Sequence, residues 1–187
     1  RDDLGDRSIP FTQTFFIEQE DFREEANKKY KRLVLGKRAR LRGAYVIEAD
    51  EAIKDEAGNI IEIRARIIEG TLGKDPADGV KPKGVIHWVS ATQNIDCEVR
   101  IFERLFTDEA PDAGGKNFLE SINPHNLEIL SGCKAELSLG GAKLDDRFQF
   151  ERQGYFCLDS KYSTADKIVF NRTIGLKDSF GKIDDQE

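Results

Sequence analysis

Basic side chains are concentrated in one short stretch of an otherwise acidic chain. Between residues 23 and 42 the sequence has nine basic and two acidic residues, which gives this stretch a charge of +7. The whole 187-residue chain carries −6, so the remainder carries −13. Because affinity for phosphate depends on the local charge, the stretch indicates a binding surface for a polyanion on an acidic body.

Within that stretch, arginines recur at every second position. On a β-strand, Arg38, Arg40 and Arg42 would project from one face, and Ala39 and Leu41 would face the other way. The planar guanidinium group donates paired hydrogen bonds to a phosphate or a base edge, so the spacing is consistent with a nucleic-acid ligand. The alternative is a solvated outer face on which acidic residues of a neighbouring strand pair with the arginines.

A second candidate for recognition lies at residues 147–152. On a strand, the two phenylalanines of this segment would face a core, while Arg147, Gln149 and Glu151 would face outward. Gln149 and Arg152 carry hydrogen-bonding groups that can read the edge of an unstacked base. The spacing by itself is more typical of an ordinary amphipathic strand.

The sequence has no recognisable catalytic or metal-binding pattern. No GxSxG, P-loop, GxGxxG or HExxH motif occurs. His87 lies in a predicted apolar strand and His125 in a predicted surface turn. Cys97, Cys133 and Cys157 are widely spaced, which favours buried free thiols in a reducing compartment. We therefore expect no catalytic, cofactor-binding or metal-binding residue in this chain.

One helix is predicted ahead of the arginines, over residues 19–30. Asp21 can cap its first turn, with an acidic residue three positions later as in a capping box. Phe22, Ala26 and Tyr30 then recur at helical spacing. The helix would carry four further cations at its end: Lys28, Lys29, Lys31 and Arg32.

The rest of the chain reads as short strands separated by Gly and Pro. No apolar run approaches the roughly 20 residues of a membrane span. Many short strands with frequent turns predict a mainly β fold of barrels or sandwiches, and two small β-barrels fit the length. In the strand predicted at residues 60–68, apolar and charged residues alternate, which is typical of a strand with one buried face. The predicted strands cover residues 11–17, 39–47, 60–68, 84–91, 97–106, 127–137, 147–158 and 168–176.

Turn signals complete the predicted organisation. Residues 55–59 should form the turn of a hairpin, and residues 74–79 and 138–141 should be loops. A domain boundary is predicted near residues 108–115, the most linker-like stretch, and a short helix at residues 117–122. Residues past 182 should be frayed.

Several sequence blocks resemble glutaminyl-tRNA synthetases. The blocks occur in order between about residue 7 and residue 182, so the resemblance covers nearly the whole chain. Because the chain contains no Met, we expect a fragment of a longer protein. The matching blocks are DFREEANKKYKRL (21–33), RLRGAYVI (40–47), KDPADG (74–79), KGVIHWVS (83–90), QFERQGYFCLDS (149–160), VFNRT (169–173) and GLKD (175–178).

The resemblance implies two anticodon-binding β-barrels with few short helices. Residues 1–20 and 111–187 would form a proximal barrel, and residues 21–110 a distal one. It also implies roles at the matching positions. Lys31 and Arg32 would contact the third anticodon nucleotide, Arg40 and Arg42 would lie near the first, Gln149 and Arg152 would read the central uridine with Glu151 beside them, and Lys29 replaces a polar amide.

The resemblance also implies what this chain lacks. The family makes an aminoacyl-adenylate from ATP, with Mg, on a separate domain whose motifs are absent here. We therefore expect a non-catalytic part of a glutamine–tRNA ligase that binds no ATP or glutamine itself. Its expected partners are the anticodon stem-loop of tRNA(Gln) and the catalytic domain of the same polypeptide. It should be monomeric and cytoplasmic, without contact to a membrane.

Two other functions remain open from the sequence. One is the anticodon-binding part of an archaeal or eukaryotic type glutamyl-tRNA synthetase, which shares the barrel architecture. The other is a β-barrel that docks a protein partner, for which the acidic remainder of the chain would suit a basic partner.

Overall fold

The computed structural model describes residues 6–176. This part of the chain is mainly β, with thirteen strands, and its helices are all 3-10 helices of three to five residues. The predicted fold class, mainly β with few short helices, is confirmed. Contacts divide the chain into two units. The first unit is Phe11–Thr92, and the second combines Arg1–Pro10 with Gln93–Glu187.

This division differs from the predicted domain limits at residues 20 and 110. Strand β1 (Phe15–Phe16) pairs with β8 (Val89–Ser90), so its segment belongs with the first unit. Strand β9 (Asn94–Phe102) pairs with two later strands, so it belongs with the second unit. The linker-like composition near residues 108–115 marks a surface loop within the second unit.

The first unit is built on a four-stranded sheet. Its order is β6-β5-β4-β7, with β4 antiparallel to β5 and parallel to β7. Leu33, Leu41, Val46 and Ile86 are fully buried in its core. A parallel pair, β2 with β3, packs in the same unit. The strands are β2 (Phe22–Arg23), β3 (Leu33–Val34), β4 (Arg38–Leu41), β5 (Val46–Lys54), β6 (Ile60–Ile67) and β7 (Val85–Ile86).

The second unit is a five-stranded sheet in the order β10-β9-β13-β12-β11. Strand β13 runs parallel to β9, and the other pairs are antiparallel. Phe156 and Phe170 are fully buried in its core, and Phe150 stacks on Phe156 at 4.2 Å between ring centroids. The remaining strands are β10 (Leu127–Glu136), β11 (Arg147–Phe150), β12 (Gly154–Leu158) and β13 (Ile168–Ile174).

The helix predicted over residues 19–30 is wrong. Only Gln19–Asp21 forms a 3-10 turn, after which the chain enters β2. Phe22 is buried where β2 pairs with β3, so tertiary packing overrides its helical spacing. The side-chain oxygen of Asn27 accepts a hydrogen bond from the Lys29 amide at 2.9 Å, a local turn that competes with helix formation.

Two predicted strands are each a hairpin. Residues 39–47 comprise the end of β4, a turn and the start of β5, and residues 147–158 comprise β11, a turn and β12. The predicted hairpin turn at residues 55–59 is confirmed, since Asp55 accepts hydrogen bonds from the Asn59 backbone and side chain. The half-buried pattern predicted for β6 is wrong, because this edge strand is largely exposed on both faces.

Other predicted elements are present but shorter than predicted. The strand at residues 11–17 is reduced to β1, and the one at residues 84–91 becomes β7 and β8. The short helix near residues 117–122 is confirmed as a 3-10 helix capped by Asn117, whose side chain accepts from the Leu119 amide. The predicted loop at 138–141 instead belongs to a 3-10 helix, Leu137–Gly141. The tail past residue 182 lies outside the described residues.

Closure of the sheets into barrels stays a prediction. Hydrogen bonding among residues 6–176 gives one open four-stranded and one open five-stranded sheet, with two short pairs beside the former. The predicted face of β9 is confirmed, since Cys97 and Val99 are buried and Ile101 packs against the same core. None of the three cysteines, all of them within residues 6–176, forms a disulfide; Cys97 is buried and the other two are half-buried.

Cys97 should be chemically inert in the folded protein. Burial raises the pKa of its thiol to about 12, so almost no thiolate exists at pH 8. We expect iodoacetamide at pH 8 to label Cys97 at least 100-fold more slowly in the folded chain than in guanidinium chloride. Mass spectrometry of digested samples measures this, with Cys133 and Cys157 as internal controls. Equal rates in the two states would contradict the burial.

Candidate nucleic-acid interface

The segment that leads to β3 is held by Arg32. Its Nε lies 3.2 Å from a carboxylate oxygen of Asp21, which is only 1% exposed, and its Nη1 donates to the Glu20 carbonyl at 3.0 Å. The hydroxyl of Tyr30 donates to the same carbonyl at 2.7 Å. Arg32 therefore balances a buried charge and fixes this loop, so much of its hydrogen-bonding capacity is already used.

The accessible positive charge comes from lysines around this loop. All of them are exposed, and within residues 6–176 no carboxylate lies within 4 Å of their ammonium groups. They can therefore meet phosphates without first giving up an internal ion pair. These residues, named here the lysine group, are Lys28, Lys29, Lys31, Lys37 and Lys83. The sequence pattern did not indicate Lys83, because it lies outside the basic stretch of residues 23–42.

Gly84 lies against the backbone of Lys31. A Cβ atom built at this position would overlap the carbonyl oxygen of Lys31, so only glycine permits this approach of the two backbones. Beside it, the Lys83 amide donates to the Arg38 carbonyl at 2.9 Å and the Arg40 amide donates to the Gly84 carbonyl at 2.9 Å. The backbone at Lys31 and Lys83 is thereby held against β4.

Strand β4 has the predicted alternation. Ala39 and Leu41 are fully buried, while Arg38 and Arg40 lie on the opposite, partly exposed face. Arg38 pairs with Glu48, its cross-strand neighbour, at 2.8 Å, and with Asp78 at 2.7 Å. Hydrogen bonds to these two carboxylates raise the pKa of Arg38. Arg38 therefore pairs with acidic residues within the protein, which is the alternative that the sequence left open.

Arg40 is also engaged within the protein. Its Nη1 donates to the Thr71 carbonyl at 2.8 Å and its Nη2 to the Lys74 carbonyl at 2.5 Å. Asp75 lies 3.5 Å away. Together with the pair between Arg38 and Asp78, these bonds attach residues 71–80 to β4. We name residues 71–80 the fastened loop.

Arg42 lies just beyond the end of β4 and is exposed. Its backbone is fixed on both sides, because its amide donates to the Ile86 carbonyl at 2.9 Å and its carbonyl accepts from the Trp88 indole at 3.0 Å. Trp88 is itself buried among aromatic rings of the first unit. A rigid backbone thus presents the Arg42 side chain at the surface.

In the second unit, the hairpin of β11 and β12 carries the other candidates. The two phenylalanines of β11 pack against the core, as predicted, and Gln149 is exposed. Gln149 lies directly opposite Tyr155. Because strands alternate their faces, the amide of Gln149 and the ring of Tyr155 share the outer face. The single strand predicted over residues 147–158 would put Tyr155 roughly 20 Å from Gln149, so the sequence pattern does not indicate that the two lie opposite each other.

Arg152 occupies the turn of this hairpin, which we name the Arg152 turn. It is the only non-glycine residue with positive φ (62°) among the described residues. Such a conformation is uncommon for arginine and is held by the flanking structure, here a hydrogen bond from the Gln153 amide to the Phe150 carbonyl at 3.0 Å. Glu151 lies in the same turn, which corrects its predicted position on an outward strand face.

The eight predicted site residues fall into two groups. The first unit brings five of them together around β4 and the loop before β3, and the second unit holds three on one hairpin. Within residues 6–176, no cluster of three or more histidine, cysteine or acidic side chains is arranged to hold a metal ion. In the same range, no helix is long and apolar enough to span a membrane. His125 is exposed in a turn, as predicted.

Comparison with known families assigns a class to this arrangement. Models of the anticodon-binding domain of class I tRNA synthetases (E and Q) match residues 1–68 and residues 85–159. Together the matches include the loop before β3, β4 and the Arg152 turn. The chain belongs to the anticodon-binding domains of the class I tRNA synthetases for glutamate and glutamine.

Among curated proteins, the chain is similar to glutamine–tRNA ligases. It is 58% identical to that of Vibrio cholerae over 98% of this chain and 33% of the relative. It is 53% identical to that of Colwellia psychrerythraea, over 97% and 33%, and 52% identical to that of Pseudomonas syringae pv. tomato, over 96% and 32%. The chain thus spans about a third of the length of the curated relatives it matches.

Replacing Gly84 should displace the backbone at Lys31. We expect Gly84→Ala to lower the free energy of unfolding by about 1–3 kcal/mol, because the added methyl group overlaps the Lys31 carbonyl. Gly141→Ala is the matched control, since a Cβ there meets no atom within 4 Å. Denaturant unfolding measures both variants. Equal stability of the two would contradict the close approach at Gly84.

Removing Arg38 should release the fastened loop. We expect Arg38→Ala to speed hydrogen exchange in residues 71–80, and the exposed ion-paired Arg64→Ala to leave it unchanged. Arg38 lowers the pKa of Asp78, so this interaction is present above the ordinary pKa of an aspartate and is lost as the pH falls through the lowered one. The difference between Arg38→Ala and wild type should therefore shrink in acid. An unchanged loop at neutral pH would contradict this role.

Proposed function

We propose that this chain recognises the anticodon stem-loop of tRNA(Gln) as part of a glutamine–tRNA ligase. The observation that carries the proposal is the lysine group: five exposed cations without a carboxylate partner among residues 6–176, in a chain of the anticodon-binding family. Such cations attract the phosphates of an RNA loop and release its counterions on binding. The net negative charge of the remaining surface disfavours binding elsewhere on the chain.

The roles of Lys29, Lys31, Arg32 and Arg40 then follow from how much of each side chain is already engaged within the protein. Lys29 and Lys31 neutralise phosphates directly, and Arg42 reaches the RNA from its fixed backbone. Arg32 and Arg40 act mainly by fixing the loops around the lysines, since their guanidinium groups already bond within the protein. On the second unit, Gln149 and Arg152 hydrogen-bond the edge of an unstacked base, with Glu151 beside them.

The ligase reaction itself belongs to the rest of the proposed full-length protein. Activation of glutamine with ATP and Mg needs a catalytic domain, and the curated relatives are three times as long as this chain. The anticodon-binding part contributes selection of the tRNA, because a wrong base leaves polar groups of the site without partners, at about 1–3 kcal/mol per group. The proposal includes a monomer that works in the cytoplasm.

A charge-deletion experiment tests the direct contacts. We expect Lys31→Ala to weaken binding of a tRNA(Gln) anticodon stem-loop about 3- to 10-fold and to reduce the salt dependence by about one ion. Lys54→Ala removes the same charge from a lysine paired with Glu24 at 2.7 Å, and it should leave binding unchanged. Filter binding at two salt concentrations measures both variants.

Lys31 suits this test better than Arg32. Arg32→Ala also removes the ion pair of a buried carboxylate, so a loss of binding would follow from a damaged loop as well as from a lost RNA contact. Equal binding by Lys31→Ala, Lys54→Ala and wild type would overturn the assigned surface. Equal affinity for the stem-loops of tRNA(Gln) and tRNA(Glu) would overturn the proposed specificity.

A further inference from the structure

Tyr155 differs in its surroundings from the other three tyrosines of the chain. The ring of Tyr30 lies under Arg23 at 4.8 Å, Tyr45 packs against Phe11 at 5.2 Å, and the ring of Tyr162 lies under Arg100 at 3.6 Å. Within residues 6–176, the ring of Tyr155 has no such aromatic or cationic neighbour, and its hydroxyl has no hydrogen bond. Tyr155 is 44% exposed.

The backbone of Tyr155 is held firmly. Its carbonyl accepts from the Thr173 hydroxyl at 3.0 Å, and it pairs with Ile174 of β13. A Cβ at the preceding Gly154 would overlap the Ile174 carbonyl, so the strands approach closely at this point. The next residue, Phe156, is buried in the core. An exposed aromatic ring is therefore mounted on a rigid sheet.

The groups around the ring have the chemistry of base recognition. Directly opposite lies Gln149, whose exposed amide can both donate and accept hydrogen bonds. Side chains at opposed positions of antiparallel strands have Cβ atoms about 5 Å apart, which lets one flat ligand touch both. The Arg152 turn follows at the end of β11, so a cation lies on the same hairpin.

We propose that Tyr155 stacks on the base whose edge Gln149 reads. The inference rests on the proposed function and adds a base-stacking residue outside the eight already assigned. An aromatic platform holds an unstacked base whatever its identity, and the neighbouring amide then selects by hydrogen bonding. Tyr155 therefore supplies affinity, and Gln149 supplies discrimination at the same nucleotide.

The exposed Ile174 beside the ring suggests a competing use of this face. Its side chain is 65% exposed, so Tyr155 and Ile174 together could bury an apolar protein surface. The amide and the cation on the same hairpin favour a base, because a protein contact of this size needs no such polar groups at its centre. Protein docking is one outcome that the experiment can reveal.

The test uses the full chain, a tRNA(Gln) anticodon stem-loop and three derivatives that each lack one anticodon base. We expect Tyr155→Leu to weaken binding of the intact stem-loop about 5- to 100-fold, as for one stacked base, and Tyr155→Phe to bind like wild type. On one abasic derivative, the losses caused by Tyr155→Leu and by Gln149→Ala should both disappear. Ile174→Ala is the control for exposed apolar surface, and unfolding curves verify that each variant folds.

The outcomes separate this inference from the proposed function. If Tyr155→Leu binds normally while Lys31→Ala and Gln149→Ala bind weakly, stacking is wrong and anticodon binding stands. If the Tyr155→Leu loss persists on all three abasic derivatives, Tyr155 acts on no single base and the inference is overturned. If Ile174→Ala loses as much as Tyr155→Leu, the face is an apolar docking surface. If wild type does not bind the intact stem-loop, the proposed function itself fails.

Discussion

The alternation of side chains along β4 is the constraint on which the candidate interface of the first unit depends. Ala39 and Leu41 are fully buried, which fixes the side of the strand from which Arg38 and Arg40 leave it. Those arginines bind the fastened loop through their side chains. The backbone of β4 also forms hydrogen bonds with Lys83 and Gly84, next to Lys31 of the lysine group. A shift of one residue in this strand would exchange core and surface and disrupt both loops.

Arginines and lysines therefore have different tasks on this surface. The guanidinium groups of Arg32, Arg38 and Arg40 form several hydrogen bonds each, which suits them to organise loops from within. The lysines of the lysine group lie at the surface, unpaired with any carboxylate in the described part of the chain, and an ammonium on a flexible side chain can follow phosphates whose positions vary. A basic stretch in a sequence thus mixes charges that build the site with charges that a ligand can reach.

Local patterns were enough to predict the mainly β class, the turn at residues 55–59 and the buried faces of β4 and β9. They failed where distant contacts decide. Phe22 has helical spacing but pairs with β3, and Arg38 meets Asp78 forty positions away, which no local pattern reveals. The orientation of Gln149 followed from alternation, whereas Tyr155 became visible only once the turn between β11 and β12 set the register.

The Arg152 turn has a consequence for how this protein can change. Its left-handed backbone would suit glycine better, and a substitution that relieved such strain would be expected to gain stability. The same substitution would remove the guanidinium group from the hairpin of β11 and β12. Under the proposed role of Arg152, a variant selected for thermal tolerance alone would therefore gain stability and lose a group that reads the RNA.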